Sequence, residues 1–356
     1  IDGILRDIYT IDKKYEQTLI FKIKVNAKLR TDEHFAPQDG RIRFEFSGEN
    51  LDTRISILPT AKGEKVVVRL LSQKGRSFSL EDLGLKDKEL EIVKKSYMKP
   101  YGSIFTSGPT GSGKTTTLYA ILQSVNSRDI NITTIEDPVE YEIEGVNQIH
   151  INPKAGLTFE KGLRSILRQD PDVIMIGEIR DPETAEIAIN SAMTGHLVLS
   201  TIHTNDAVTT IPRLIDLGVE PYLVASTLNV VIAQRLCRKL CEKCKKETTL
   251  TDPEYQELLR FRPDISKLLP KDQKFFKESA CTECGNTGFK GRIGLYEVLE
   301  ITEDLRKIIM EDHSTDKIYT KAREQGLILI VEDGVGKLID GILSLSELMR
   351  VTALKE

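Results

Sequence analysis

Neither a membrane-spanning segment nor an excess of positive charge is evident in this sequence. The longest weakly polar run, Pro221 to Gln234, is too short to cross a bilayer, and no charged-then-apolar signal segment opens the chain. A net charge of −4 and a pI near 5.9 give no bulk attraction to polyanions, which argues against a nucleic-acid motor but not against a local basic patch. We therefore expect a cytoplasmic protein. Because the chain opens at Ile1 rather than Met, an upstream domain is expected to be missing.

The amino-terminal part of the chain alternates apolar and polar residues with period two. Within Arg41 to Phe46 this alternation puts Ile42, Phe44 and Phe46 on one face, and a turn is expected at 47–50. We predict a small antiparallel α+β domain over residues 1–71.

Beyond a polar linker expected at 72–80, the pattern changes to apolar strands that alternate with helices. Such alternation predicts a parallel sheet covered on both faces, and therefore an α/β fold. Four strands are predicted, at Ser103–Thr106, Ile132–Ile135, Val173–Ile176 and Leu197–Thr201. Because ligands of such sheets bind beyond the carboxyl ends of the strands, the polar residues that follow these strands are expected to converge on one site.

A phosphate-binding loop of the form G-x-x-x-x-G-K-[ST] follows the first of these strands, and the residues after it predict a helix. Its glycines let backbone N–H groups turn towards an anion, Lys114 supplies charge at the outer phosphates, and the Thr115 hydroxyl is placed to hold Mg²⁺. The sequence therefore predicts an ATP site. The expected nucleotide contacts are Gly108, Pro109, Thr110, Gly111, Ser112, Gly113, Lys114, Thr115 and Thr116.

Acidic residues and a histidine follow the other strands. Glu178 ends an apolar strand and is a candidate for polarising water or organising the Mg²⁺ shell. Glu140 is a second water-orienting candidate, with Glu136 and Asp137 expected in the outer shell of the metal. His203 is a candidate sensor of the γ-phosphate. His196 could link neighbouring motifs.

Two C-x-x-C pairs lie in the carboxyl-terminal half of the chain. Four thiolates in this arrangement suit tetrahedral Zn²⁺, and four thiolate ligands leave none of the open positions that a catalytic zinc needs. Cys237 lies on a helix predicted over Leu228 to Leu240, where we interpret it as packing, although it is close enough in sequence to be a substitute ligand. The predicted zinc ligands are Cys241, Cys244, Cys281 and Cys284.

Four motifs in order resemble those of the secretion ATPases of type II secretion and type IV pilus systems. They are the phosphate loop, the acidic box Ile135–Glu140, the run Leu167–Asp181 and the histidine box Gly195–Asn205. This resemblance implies a RecA-like ATPase core over 81–236, preceded by a PAS-like amino-terminal domain. It also implies a tetracysteine zinc subdomain over 237–297. The residues from 301 onwards are helical in pattern, with an apolar stripe at Leu305, Ile308 and Ile309, and predict a helical region over 298–356.

The same resemblance implies a homo-hexameric ring that hydrolyses ATP and drives an inner-membrane assembly platform from its cytoplasmic face. The cysteine pairs are similar to an insert of the secretion and pilus-extension branch, which argues against a retraction motor. A pair of arginines in the family matches Arg54 and Arg69, which alternation places on one sheet surface. Such arginines could reach the γ-phosphate across a domain or subunit boundary.

Two alternatives belong to other functional classes. One is a nucleic-acid translocase with a zinc ribbon, which the basic residues Arg235, Arg238, Lys239, Lys243, Lys245 and Lys246 keep open. The other is a non-enzymatic nucleotide sensor, which the intact Lys114, Thr115 and Glu178 disfavour.

Overall fold

The computed structural model describes residues 5, 7–46, 49–72 and 78–353. Chain contacts divide them into two compact units. The smaller unit takes in the residues up to 72 together with Glu140–Glu142, and the larger unit takes in 78–139 and 143–353. Residues 47–48 of the expected turn and residues 73–77 of the expected linker lie outside the described residues.

The smaller unit packs one helix against an antiparallel sheet of order β1-β2-β3, as the alternation predicts. Ile55 and Ile57 on the middle strand are buried against Ala27, and Ile42 and Val66 pack on the same cluster. Its elements are a 3₁₀ turn Lys13–Tyr15, α1 Glu16–Asn26, β1 Gln38–Phe46, β2 Glu49–Thr60 and β3 Gly63–Ser72.

A seven-stranded sheet organises the larger unit, with order β12-β9-β4-β8-β7-β5-β6. All neighbours pair in parallel except β12, which is antiparallel to β9. The four predicted strands are confirmed as β4, β5, β7 and β8. The strands of this unit are β4 Gly102–Ser107, β5 Ile132–Glu136, β6 Val146–His150, β7 Val173–Ile176, β8 Leu197–Ile202, β9 Leu228–Leu240, β10 Lys246–Thr248, β11 Phe275–Lys277 and β12 Phe289–Glu300.

Helices cover the sheet and follow its last strand. The helix predicted behind the phosphate loop is confirmed as α3, and the helical pattern after residue 301 is confirmed by α10 to α13, with Leu305, Ile309 and Leu348 buried. No helix of the described part of the chain is both long and apolar enough to cross a membrane. The helices are α2 Asp87–Tyr97, α3 Lys114–Val125, α4 Phe159–Ile166, α5 Pro182–Met193, α6 Thr210–Asp216, α7 Pro221–Thr227, α8 Asp252–Phe261, α9 Pro263–Leu268, α10 Glu303–Glu311, α11 Thr315–Glu324, α12 Ile330–Ile339 and α13 Leu345–Thr352, with 3₁₀ turns at Pro153–Ala155 and Thr282–Cys284.

The helix predicted over Leu228 to Leu240 is wrong, because this segment is the strand β9. It pairs with β4 on one side and β12 on the other, and its first seven residues are all buried. A strand covered on both faces shows no alternation, so the apolar period alone could not separate it from a buried helix. The β-branched run Val230-Val231-Ile232 was the available signal for a strand.

Candidate nucleotide site and cysteine cluster

The phosphate loop joins the central strand β4 to the first turn of α3. Gly108, Gly111 and Gly113 have φ angles of 139°, 80° and 92°, which residues with a side chain rarely adopt. A Cβ on Gly108 would lie 2.5 Å from the carbonyl oxygen of Gln234 on β9. The loop therefore needs glycine both for its turn and for its close approach to the neighbouring strand.

Lys114 is nearly buried at the start of α3. Its Nζ donates to the carbonyl oxygens of Gly108 at 2.8 Å and Pro109 at 3.2 Å. Burial lowers its pKa, Glu178 opposes that effect and Arg235 adds to it. The loop carbonyls thus hold the ammonium over the turn where α3 presents its first backbone N–H groups, an arrangement suited to phosphate oxygens.

Glu178 lies just beyond β7, at the same edge of the sheet as the phosphate loop. One of its oxygens is 2.6 Å from Nη2 of Arg180, and the other is 3.4 Å from Nε2 of His203, which follows β8. The charge of Glu178 partly offsets the lowering of the Lys114 pKa by burial. The structure therefore brings together three of the predicted residues, Lys114, Glu178 and His203.

The interpretation of His196 as a link between motifs receives no support from its position. His196 precedes β8, at the opposite end of that strand from His203, and its Nδ1 lies 2.9 Å from the carbonyl oxygen of Ser191 on α5. This contact joins the end of a helix to the strand that follows it.

Glu136 ends β5 and is buried, with an exposed fraction of 2%. Its carboxylate accepts hydrogen bonds from Tyr119 Oη, from Thr134 Oγ1 at 2.5 Å and from Gln148 Nε2 at 3.2 Å. Asp137, next in the chain, is exposed. The two residues expected in the outer shell of a metal thus have very different surroundings.

Arg54 and Arg69 are direct partners in the register of β2 and β3, so they lie on one face of the small sheet, as alternation predicts. Arg41 on β1 pairs with Arg54 on its other side. Within the same unit, Arg54 Nη1 is 4.0 Å from Oε2 of Glu140.

Gln234, Arg235 and Arg180 were not predicted as parts of the nucleotide site. The Gln234 amide donates to the carbonyl oxygen of Ser112 at 2.7 Å, so a side chain of β9 holds the backbone of the phosphate loop. Arg235 donates to the carbonyl oxygen of Asn205 at 2.8 Å. A polar Gln-Arg pair that interrupts an apolar run was the signal for the first two, and proximity to Glu178 was the signal for Arg180.

The four predicted cysteines form one cluster, with all four sulfur atoms within 4.8 Å of one another. The Sγ–Sγ distances are 3.8 Å for Cys241 and Cys281, 3.9 Å for Cys244 and Cys284, and 3.6 Å for Cys281 and Cys284. Tetrahedral zinc with Zn–S bonds of about 2.3 Å places its sulfur ligands about 3.8 Å apart. The cluster is therefore compatible with zinc.

The backbone around the cluster stabilises charge on one sulfur. Burial raises the pKa of Cys284, but the N–H of Gly288, 3.2 Å from its sulfur, and other nearby donors outweigh burial and lower the pKa. Burial and the neighbouring thiols raise the pKa of Cys244. Cys237 is buried on β9 outside the cluster, so its interpretation as a packing residue is confirmed.

Comparison with known proteins gives one family. The family described as type II/IV secretion system protein matches residues 1–350. Type II secretion system protein E of Pseudomonas aeruginosa is 43% identical over 352 residues, which cover 99% of this chain and 68% of that protein. The type IV pilus assembly ATPase PilB of Acinetobacter baylyi is 43% identical over 354 residues, which cover 99% of this chain and 60% of that protein.

Solved structures share the fold. The pilus retraction motor PilT with bound ADP is 25% identical with a TM-score of 0.64, covering 97% of this chain and 82% of its own. The ATPase DotB of Legionella pneumophila is 21% identical with a TM-score of 0.68, covering 97% of this chain and 85% of its own.

Proposed function

This chain belongs to the type II/IV secretion system protein family, and on that premise we propose that it hydrolyses ATP at the phosphate loop to drive protein secretion or pilus extension. Its relatives are secretion and pilus assembly ATPases. The observation that carries the proposal is the convergence of Lys114, Glu178 and His203 at one edge of the sheet. Phosphoryl transfer needs charge neutralisation and an oriented water, and these residue types supply both.

The residues of this edge have distinct roles in the proposal. Lys114 exchanges the loop carbonyls for phosphate oxygens when nucleotide binds. Thr115 holds Mg²⁺, which supplies charge neutralisation at the phosphates. Glu178 orients the attacking water or the metal shell, and His203, beside it, reports whether the γ-phosphate is present. The position of β8 between β4 and β7 supports a RecA-like core.

Two observations favour secretion or extension over retraction. Relatives named for type II secretion or pilus assembly are 41% to 46% identical, whereas the retraction motor PilT is 25% identical. The cysteine cluster is also of the kind that retraction motors generally lack. The working assembly we propose is a homo-hexamer with a PAS-like amino-terminal domain, at the cytoplasmic face of the inner membrane, where it acts on a platform protein.

The cysteine cluster, we propose, holds one structural Zn²⁺ per chain. The sulfur spacing fits a tetrahedron, and all four donors are thiols, so no ligand position is left for a substrate. The charge of zinc would offset the repulsion among four thiolates that lie within 4.8 Å of one another.

Arg54 and Arg69 are proposed to act on the γ-phosphate across a domain or subunit boundary. A planar, permanently charged guanidinium stabilises charge that develops on the transferred phosphate. Their shared face and the contact between Arg54 and Glu140 support a common role in turnover, with Glu140 as a second candidate for orienting water.

Phosphate release from Mg²⁺-ATP by the purified full chain tests the proposed function. We expect turnover that rises with chain concentration as rings assemble and that does not change when DNA is added. Stimulation by DNA, together with salt-dependent DNA binding, would favour a nucleic-acid translocase instead. Nucleotide binding without turnover would favour a sensor.

A further inference from the structure

The buried carboxylate of Glu136 stands apart from the other acids of the site because three side chains already donate to it. Two of its contacts come from elements that are remote in sequence, Tyr119 on α3 and Gln148 on β6. Gln148 Nε2 also lies 3.2 Å from Tyr119 Oη, so these three side chains form a closed triangle. Tyr119 and Glu136 are 0% and 2% exposed, respectively.

These contacts leave little of Glu136 for a metal. A carboxylate offers about four lone-pair positions, and three donors occupy most of them. A place in the outer shell of Mg²⁺ also needs contact with the waters of that shell, and an exposed fraction of 2% is poorly suited to this. The carboxylate faces α3 and β6 instead of the open edge of the sheet.

The triangle fixes the chain on both sides of the segment that carries Glu140. On one side, the backbone oxygen of Glu136 accepts from Ile151 N at 3.0 Å. On the other, Ile143 N donates to Gln148 Oε1 at 2.7 Å. Gln148 thus contacts both ends of the segment, through the Glu136 carboxylate on one side and the Ile143 N–H on the other.

Tyr119 ties this arrangement to the phosphate loop. It lies on α3, the helix that begins with Lys114 and Thr115, and is buried against the sheet. A rigid helix carries a displacement at its first turn to a side chain little more than one turn further on.

We infer that Glu136 is a positioning residue, not a metal-shell residue: with Tyr119 and Gln148 it couples the phosphate-loop helix to the stems of the Glu140 segment. This inference rests on the proposed function, since it assigns Glu136 a part in ATP turnover. It predicts that the triangle affects the rate of hydrolysis and leaves ground-state binding of nucleotide and Mg²⁺ unchanged.

Three variants test the triangle in the full chain. Tyr119→Phe removes one hydroxyl, and Glu136→Gln removes the charge with little change of shape. Gln148→Ala removes the amide contacts with Glu136, Tyr119 and Ile143 at a half-buried position. Tyr222→Phe, at a side chain that is 56% exposed, is the matched control. The measurements are kcat, the Kd for ATP, and the Mg²⁺ concentration that gives half-maximal turnover.

We expect kcat to fall on the order of 10- to 100-fold in each triangle variant, because small misplacements of catalytic groups have effects of this size. The Kd and the Mg²⁺ requirement should stay within about 3-fold of wild type, and the Tyr119→Phe/Glu136→Gln double variant should be no slower than the slower single variant. A merely structural role would lower the number of nucleotide sites per chain instead.

Two results would overturn the inference. One is a raised Mg²⁺ requirement in Glu136→Gln with wild-type kinetics in Tyr119→Phe, which would return Glu136 to the metal shell. The other is wild-type kcat in all three variants. Absence of turnover in both the wild-type chain and Tyr222→Phe is a separate outcome, which would overturn the proposed function and this inference with it.

Discussion

The phosphate loop and the cysteine cluster lie in the same unit but are built in opposite ways. The loop is one continuous segment whose backbone makes the site, and contacts within the chain hold it, since loop carbonyls accept from Lys114 and the Gln234 amide donates to the carbonyl oxygen of Ser112. The cluster takes side chains from two separated segments, and four sulfurs meet within 4.8 Å. Removing the ligand should therefore leave the loop folded and loosen the region around the cysteines.

The same difference explains why the sequence predicts the geometry of the phosphate loop but only the ligands of the cysteine cluster. A contiguous motif carries its geometry with it, because glycines at fixed positions permit only one kind of turn. The cysteine pairs predict ligand identity, but their surroundings depend on where the chain returns after a long insertion.

The largest effects are expected in the nucleotide site, from two substitutions that separate binding from hydrolysis. Lys114→Ala should abolish nucleotide binding or turnover, because the lysine acts on ground-state phosphates as well as on the transition state. Glu178→Gln keeps the shape of the side chain and removes its charge, so binding should persist while kcat falls about 1000-fold. Calorimetric binding and phosphate release distinguish the two variants. Full hydrolysis by Glu178→Gln would move the catalytic role to Glu140, whose Gln variant is measured alongside.

Arg54→Ala and Arg69→Ala test whether residues outside the phosphate loop take part in turnover at the nucleotide site. Each should lower kcat about 100-fold and leave the Kd for ATP unchanged, because charge on the γ-phosphate develops only during transfer. Arg30→Ala is the control, since Arg30 is an exposed arginine of the same unit that pairs with Asp32. Equal rates in all three variants would show that the arginine pair is solvated and not catalytic.

Loss of metal tests whether the cysteine cluster depends on its ligand for folding. Replacing any cluster cysteine by Ser should remove zinc and lower the melting temperature, because metal binding contributes directly to the folding of its subdomain. The Kd for ATP should not change. Elemental analysis of protein never exposed to chelator should give one zinc per chain, and Cys237→Ser should retain it. A metal content near zero in the wild-type chain would end the zinc assignment.

Much of the sheet could be predicted because its strands are short, apolar and followed by polar residues. The interpretation failed at β9, where burial on both faces removes the alternation that marks a strand. That error also hid Gln234, whose support of the phosphate loop depends on β9 being a neighbour of β4. The surroundings of Glu136 could not be predicted either, since Tyr119 and Gln148 reach it from a helix and a strand whose packing no local pattern specifies.

Two buried carboxylates of the larger unit also differ in their partners, and the first is Glu347 on α13. Two arginines surround it, with Arg238 Nη2 at 2.7 Å and Arg350 Nη2 at 2.5 Å. Burial alone would raise its pKa, but these partners outweigh burial and lower the pKa to about 2. Because its pKa is lowered, ionised Glu347 stabilises the folded chain at pH values above its ordinary pKa of 4.5. This contribution is lost only as the pH falls towards 2.

Glu347→Gln should therefore cost about 3 kcal/mol of unfolding free energy, because it leaves the guanidinium of Arg238, whose side chain is only 14% exposed, without its charged partner. The loss should be equal at pH 5 and pH 8. Glu91→Gln, at an exposed ion pair with Lys95, is the control and should change the free energy by a few tenths of a kcal/mol. Denaturant unfolding measures both. A loss that differs between the two pH values would mean that Glu347 titrates in this range and that the arginines do not hold it ionised.

The second buried carboxylate is Glu297 on β12. Glu297 is 4% exposed and accepts from the Ala207 N–H at 2.8 Å, in the segment that follows His203. Burial raises its pKa to about 7, a rise that the Ala207 N–H opposes and nearby Asp206 reinforces. The folded chain therefore binds this proton more tightly than the unfolded chain, and stability falls as the pH rises from about 4.5 to about 7.

Glu297→Gln removes this ionisation and keeps an oxygen that can accept from Ala207. Relative to wild type, the variant should gain at most about 3 kcal/mol of unfolding free energy between pH 5 and pH 8, since one pKa unit corresponds to about 1.4 kcal/mol. The measurement is again denaturant unfolding at the two pH values, with Glu347→Gln as the variant whose offset stays constant. Parallel stability curves for wild type and Glu297→Gln would mean that Glu297 is already ionised at pH 5. The two buried carboxylates would then resemble each other, and the contrast between one kept ionised by paired arginines and one kept protonated by burial would not hold.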